Sequence, residues 1–257
     1  MDYNFHTHTW RCSHASGTEE EYIIRAIENG IRYMGFSDHM PFRCSDGYEE
    51  ISVRVPTDLA MDYCQELRVL REKYRDRIEI YIGFETEYFP DEFDRMLNNA
   101  RTFGAEYLIL GQHYVMPEHP NGKHSSIPTD DVSALEAYAK SLVDAMETGV
   151  FTYVAHPDVF HFTGDTETYQ KVMRKVCVAS RVLNVPLEIN FYGIRDNRYY
   201  PTEAFWEIVG QECSPVTFGF DAHDARSAYD GASLERAQQL VKKYHLSYIG
   251  KPPIIRI

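Results

Sequence analysis

Short runs of β-branched and aromatic residues alternate along the chain with longer segments whose apolar positions recur at helical spacing. The short runs at 3–6, 33–37, 78–84, 107–110, 151–155, 186–189 and 216–220 predict strands. Between them, Thr18 and Glu21 form a capping box, Ile23, Ile24 and Ile27 supply an apolar helix face, and Gly30 marks its stop. Four further stripes have the helical period: Leu59, Tyr63, Leu67, Leu70 and Tyr74; Leu135, Tyr138, Leu142 and Met146; Tyr169, Val172, Val176, Ala179 and Leu183; and Leu234, Ala237, Val241 and Tyr244. Such stripes are core faces. Seven strand-then-helix units predict an α/β fold with a parallel sheet, and that number favours a closed barrel over an open doubly wound sheet. No linker or low-complexity run divides the chain, so one domain over 1–257 is expected.

The polar residues of this pattern fall at the strand ends. The first strand runs into His6-Thr7-His8, with His14 following, and imidazoles at i, i+2 point to one side of an extended chain. The later strands end in Ser37-Asp38-His39, Glu85-Thr86-Glu87, Gly111-Gln112-His113, His156-Pro157-Asp158, Glu188-Ile189-Asn190 and Asp221-Ala222-His223. In a barrel these ends meet on one face, where active sites are built. Burying so many carboxylates and imidazoles without a cation would cost several kcal/mol in desolvation and repulsion, so the pattern predicts bound metal. Mixed His, Asp and Glu ligation without thiolate suits Zn, Mn or Fe(II). About nine candidate side chains suffice for two or three ions, with a carboxylate such as Glu85 bridging a pair.

Composition narrows the chemistry. A hydrophobic content of 44% with 14% aromatic residues indicates a globular chain, and the longest apolar runs fall far short of the ~20 residues of a membrane span. His6 comes too early for a signal peptide to precede it, and a cytoplasmic protein is expected. The net charge of −13, with 26 basic against 39 acidic residues and no Lys/Arg cluster, disfavours a long nucleic acid and leaves a small anion at a metal-lined cleft as the expected ligand. Cys12, Cys44, Cys64, Cys177 and Cys213 are odd in number and form no C-x-x-C pair, which points to free thiols in a reducing compartment. Cys12, between His8 and His14, reads as a packed thiol before it reads as a ligand. No glycine-rich phosphate loop follows the first strand, so a nucleotide cofactor is not indicated. Oligomeric state leaves no signal in the sequence.

Taken together, His6-Thr7-His8 with His14, Ser37-Asp38-His39, Glu85, His113, His156-Pro157-Asp158 and Asp221-Ala222-His223 resemble the PHP (polymerase and histidinol phosphatase) superfamily over nearly the whole chain. Within it, Asp38-His39-Met40-Pro41, the stretch from Glu85 to Pro90, the stretch from Glu188 to Arg195, and Tyr200-Pro201 most resemble the histidinol-phosphate phosphatases. The resemblance implies a distorted seven-stranded (β/α)7 TIM-like barrel carrying three divalent metal ions. One would be held by His6, His8, Glu85 and Asp221, a second by bridging Glu85 with His113 and His156, and the third by His14, His39 and His223. It further implies that Asp38 either orients a neighbouring imidazole, the favoured role, or serves as a cap, and that Arg195 clamps substrate phosphate oxygens. The chain departs from the family's usual wording at Gln112, where Ser is common, at Thr86, where Asp is common, and at His161, near the place of a second phosphate-binding Arg. These departures leave the metal set intact.

The expected function is hydrolysis of a small phosphomonoester by a hydroxide bridging two metals, foremost L-histidinol phosphate to L-histidinol and phosphate in histidine biosynthesis. Asp221 and His223 are the candidate catalytic residues. A metal-bound water or Asp221 would protonate the leaving alcohol, with His161 a weaker candidate. The alternatives are a phosphoesterase acting on a nucleotide or short oligonucleotide, a metal-dependent deacylase, which Arg195 disfavours, and a catalytically silent metal-binding protein.

Overall fold

Parallel strands lie side by side in the order in which the chain makes them: β1 (Tyr3–Asn4), β2 (Tyr33–His39), β3 (Glu79–Thr86), β4 (Tyr107–Leu110), β5 (Phe151–Val154), β6 (Leu187–Asn190), β7 (Pro215–Gly219) and β8 (Ser247–Tyr248). The computed structural model describes residues 1–43, 47–115 and 122–257; Cys44 lies outside them. Between the strands come α1 (Glu19–Glu28), α2 (Ala60–Tyr74), α3 (Phe93–Phe103), α4 (Val132–Glu147), α5 (Thr166–Leu183), α6 (Phe191–Arg195), α7 (Glu203–Glu212) and α8 (Gly231–Lys243). None of the helices in the described residues is long and apolar enough to cross a membrane.

All seven predicted strands are present, with ends moved by a few residues, but the expected count of seven is corrected to eight. β8 has only two residues, both exposed, and offers no apolar run to read; its Tyr248 ring stacks on Phe218 at 4.2 Å and pairs β8 with β7. The sheet curls until its beginning meets its end. Thr7 bridges Ala222 beyond β7, the His8 N–H donates to the Ala222 carbonyl at 2.9 Å, and the Ala222 N–H donates to that of His6 at 3.2 Å. At the other end Tyr3 Oη pairs with Thr217 Oγ1 at 2.9 Å and Tyr248 Oη at 3.2 Å.

Strands buried on both faces need two apolar layers. On the outer face Phe36, Ile82, Phe84, Leu108, Leu110 and Ile189 join the helix stripes in the main core, where Tyr63, Leu67, Leu135, Tyr138, Leu142 and Val176 are buried as expected. The stripe on α5 stops one residue early: Leu183, the last residue of the helix, is exposed. The capping box forms, with the Thr18 N–H donating to Glu21 Oε2 and the Glu21 N–H to Thr18 Oγ1.

The inner face changes character along the strands. A small aromatic plug of Tyr3, Phe5, Tyr107, Ile109 and Tyr153 fills it, and beyond the plug the same strands carry the polar residues. Tyr107 donates its hydroxyl to the Phe5 carbonyl at 2.9 Å, and its ring lies flat against Gly83, where a Cβ would stand 2.5 Å from both ring and backbone. Side chain and backbone crowd Gly83 together, so neither can yield cheaply. Gly83→Ala is therefore expected to destabilise the fold by about 1–3 kcal/mol through overpacking, measured as a lowered urea midpoint; an unchanged midpoint would show that the plug is loosely packed.

Candidate metal centre

Glu85, near the end of β3 and almost wholly buried, has five imidazoles around its carboxylate. Oε2 lies 3.4 Å from His6 Nε2, 3.5 Å from His8 Nε2 and 3.2 Å from His39 Nδ1; Oε1 lies 3.5 Å from His113 Nε2 and 2.7 Å from His156 Nε2. The five imidazoles are shared between the two oxygens, and two triads that could hold a metal cross that division, His6 with Glu85 and His156 and His39 with Glu85 and His113. Gly111 makes room for it, since a Cβ there would come within 1.9 Å of Oε1. Asp221 closes the group from beyond β7, with Oδ1 at 3.5 Å from His6 Nε2, 3.2 Å from His8 Nε2 and 3.3 Å from His223 Nδ1. His14 Nε2 and His223 Nε2 face each other at 3.0 Å, and the His14 and His39 rings stack 5.2 Å apart. All nine predicted ligands gather here. His39 sits between two groups, one with His8 and His223 and one with Glu85 and His113.

Two observations test whether these residues fit metal ions. His6 Nε2, His8 Nε2, Glu85 Oε2, His156 Nδ1 and Asp221 Oδ1 are buried polar atoms without a hydrogen-bond partner, a costly condition unless something else satisfies them. The donor separations of 3.2–3.5 Å about His6, His8, Glu85 and Asp221 also match the edge of about 3.3 Å expected for a tetrahedron of ligands about 2.0–2.1 Å from an ion. The donor set fits.

Its electrostatics lead the same way. Burial alone would raise the Glu85 carboxyl, but His113, His6, His39 and His156 bring it well below its usual range, and against similar burial His6, His8 and His223 do this for Asp221. Burial and the nearby His8 keep His39 and His223 neutral, lone pairs available. Burial opposes charge on His6 and His8, yet Glu188, Asp221 and Glu85 raise the first, and Asp221 and Asp38 the second. The acids thus favour positive charge at this place, which a divalent cation would supply. His156 and Asp221 also have positive φ, 30° and 48°, a conformation that costs energy for a residue with a side chain.

A second layer holds these groups in place. Asp38 Oδ1 lies 3.4 Å from His8 Nδ1 while the Thr9 N–H and hydroxyl donate to Oδ2. Glu188, fully buried in β6, was not among the predicted site residues. Its Oε1 contacts His6 Nδ1 at 2.9 Å, and its Oε2 accepts the His156 N–H and the Asn190 amide, which in turn donates to Asp221 Oδ2 at 3.0 Å. One carboxylate therefore supports three candidate ligands; an acid between Leu187 and Ile189 in a buried strand is the signal that could have found it. Glu87 Oε1 meets His113 Nδ1 at 3.0 Å and accepts from the buried Arg54 at 2.8 Å. Burial would raise Glu87, but the Arg54 guanidinium and then His113 hold it at about 2. Cys12 is packed behind His8 with its thiol on the Thr9 carbonyl, and Asp158 turns away to accept from the Thr202 N–H and the Trp206 indole.

Above the cluster opens a cavity of about 220 Å³. Arg195 is beside it, donating to the carbonyls of Phe220 and Asp221 and to Asp230 Oδ2 at 3.1–3.3 Å. Two arginines line the wall: Arg54, which is bonded to Glu87, and Arg198, which lies over the Tyr192 ring at 4.2 Å and donates to its hydroxyl. His161 lines a neighbouring depression, stacked on Tyr199 at 3.9 Å. His124, also missed in the sequence, lines the cavity beside His113, where burial, aided by His113, pushes its pKa down to about 4.

Fold and site together define a class: an α/β protein whose curled parallel sheet gathers a carboxylate–imidazole cluster of metal-binding type at its strand ends. The PHP domain model matches residues 4–191, and the chain belongs to that family. It is similar to a protein of Schizosaccharomyces pombe named "Probable histidinol-phosphatase", 34% identical over 136 residues, which are 51% of this chain and 42% of that relative's length. It is also similar to the "Histidinol-phosphatase" of Lactococcus lactis, 23% identical over 265 residues that cover 95% of this chain and 90% of the relative. The fold is shared with the crystal structure of histidinol phosphate phosphatase from Lactococcus lactis in complex with zinc, L-histidinol and phosphate, with a TM-score of 0.70, 18% identity, and coverage of 96% of this chain and 95% of that one.

Two outcomes are expected. Glu188→Gln, which keeps the shape but removes the charge under His6, is expected to weaken metal affinity about 10–100-fold in competition with a chromophoric chelator; unchanged affinity would leave Glu188 a packing residue. The pair of Glu87 and Arg54 should also give an acid-dependent stability. The folded Glu87 carboxyl lies below its ordinary 4.5, so its contribution is complete above that pH and is lost as the pH falls towards about 2. Glu87→Gln is expected to be less stable than wild type by about 3 kcal/mol at pH 7, with the gap narrowing by pH 3 in denaturant titrations; a gap that stays constant with pH would contradict this.

Proposed function

We propose that the chain is a metal-dependent phosphatase hydrolysing L-histidinol phosphate to L-histidinol and phosphate, a cytoplasmic enzyme of histidine biosynthesis. Residues 1–257 act in this reading as one PHP-type domain with a TIM-like barrel. The observation that carries it is the position of Glu85, whose two oxygens are shared among five imidazoles, with the orphaned His6 Nε2, His8 Nε2 and Asp221 Oδ1 beside it. Membership of the PHP family and the names of the similar proteins supply the substrate.

Three divalent ions, drawn from Zn, Mn and Fe, would be held by His6, His8, Glu85 and Asp221; by Glu85, His113 and His156; and by His14, His39 and His223. Bound there, they supply Lewis-acid activation of water, lowering its pKa to about 7, and charge stabilisation on the phosphoryl group. The chain's own residues do the positioning. Glu188 and Asp38 fix which nitrogens of His6 and His8 face inward. Arg198, stacked on Tyr192, presents its guanidinium to the phosphate from the cavity wall, while Arg195 braces the carbonyls on either side of the turn that carries Asp221. Asp221 and His223 stand nearest that turn and are our candidates for moving the proton to the leaving alcohol.

The test is release of inorganic phosphate from histidinol phosphate by the purified chain, before and after chelation and after metal is restored, with a nucleoside monophosphate in parallel. Activity on histidinol phosphate is expected to vanish on chelation, return with Zn, Mn or Fe, and exceed that on the nucleotide in kcat/KM. No phosphate release by the metal-loaded protein, or faster turnover of the nucleotide, would overturn the reading.

A further inference from the structure

His124 lies outside the set of ligands and their supports, yet the backbone ties it to the strand end that carries His113. Tyr114 and His124 form an antiparallel bridge, the Ser125 N–H donates to the His113 carbonyl at 2.6 Å, and the Ser125 hydroxyl donates to that of Gln112 at 3.1 Å. The His124 ring is thereby placed 5.6 Å from the His113 ring and edge-on to Tyr114 at 5.1 Å.

The polarity of this imidazole is determined by its neighbour. Nδ1 accepts the Ser126 backbone N–H at 3.1 Å, and the Ser126 hydroxyl lies 2.7 Å away. A backbone N–H can only donate, so Nδ1 is the acceptor and the neutral ring carries its proton on Nε2. Among the described residues Nε2 has no hydrogen-bond partner, although the ring lines the cavity. An outward-facing N–H of this kind accepts neither an ammonium nor a hydroxyl proton; its counterpart must be an acceptor. A phosphomonoester dianion is all acceptor at its phosphoryl end. His113 and His124 both line the cavity of about 220 Å³ with their rings 5.6 Å apart, so one phosphoryl group can reach both.

We propose that His124 Nε2–H donates a hydrogen bond to a phosphoryl oxygen of the substrate, making His124 part of the phosphate site. The proposal rests on the phosphatase reading, so its test reads binding separately from turnover. Inorganic phosphate is titrated calorimetrically into metal-loaded wild type, His124→Ala and His124→Gln, with metal content and thermal midpoint measured on each. His124→Ala is expected to bind phosphate about tenfold more weakly, as for one hydrogen bond to a charged group, and to raise KM for histidinol phosphate by a similar factor with metal content unchanged. His124→Gln, whose side-chain amide reaches the place of Nε2, is expected to recover most of that loss. Equal phosphate affinity in His124→Ala and wild type would overturn the proposal. So would metal loss with equal weakening in both variants, which would make the ring a structural prop for His113. A wild type that binds phosphate but releases none from histidinol phosphate would overturn the phosphatase reading alone, and the binding comparison would still decide His124.

Discussion

The attraction between one buried carboxylate and the imidazoles converging on it governs the centre of this molecule. Glu85 has lost its water and stands within 3.5 Å of His6, His8, His39, His113 and His156, which come from four other places along the chain. Such a group is tolerable only if positive charge is shared through it, by protons or by cations. The curled parallel sheet supplies the convergence, because strands laid in chain order bring every strand end to one face. The aromatic plug beneath it supplies rigidity: Tyr107, wedged against Gly83 and bonded to the Phe5 carbonyl, fixes the strands that deliver Glu85 and the first histidines.

Around that centre the polar residues form layers, each held by the next. Glu188 supports His6, His156 and, through Asn190, Asp221; Glu87 supports His113 and is itself held by Arg54. A layered arrangement of this kind holds donor atoms close to ligand geometry before any ion arrives, which is what a site built for metal requires. It also explains why orphaned nitrogen and oxygen atoms persist in an interior that otherwise satisfies most of its polar groups.

Much of this was legible in the sequence because the signals were periodic or chemically rare. Seven strands and the stripes on α2, α4, α5 and α8 follow from hydrophobic spacing, and ligand-type residues at successive strand ends marked the site. Other features had no local signal. β8 is two exposed residues, whose pairing depends on the curl of the whole sheet. Leu183 continues its stripe in spacing but, as the last residue of the helix, is exposed. Glu188 stands out in the sequence as an acid within a buried strand, but which ligands it supports depends on His6 and His156 being brought to it by the fold. Arg195 stands in the expected motif, yet its guanidinium donates to carbonyls from the next strand end, while Arg198, three residues on, lines the cavity together with Arg54. His124 follows a stretch with no regular spacing, and its place beside His113 is set by the backbone pairing of Tyr114 with His124 and of Ser125 with His113.

The most direct measurement is anomalous diffraction at the zinc edge from crystals of the protein grown with zinc. Density for ions within coordination distance of Glu85, one enclosed by His6, His8 and Asp221 and another reached by His113 and His156, is the expected result. A zinc-saturated crystal with no anomalous peak within coordination distance of Glu85 would contradict the claim that this carboxylate bridges metals.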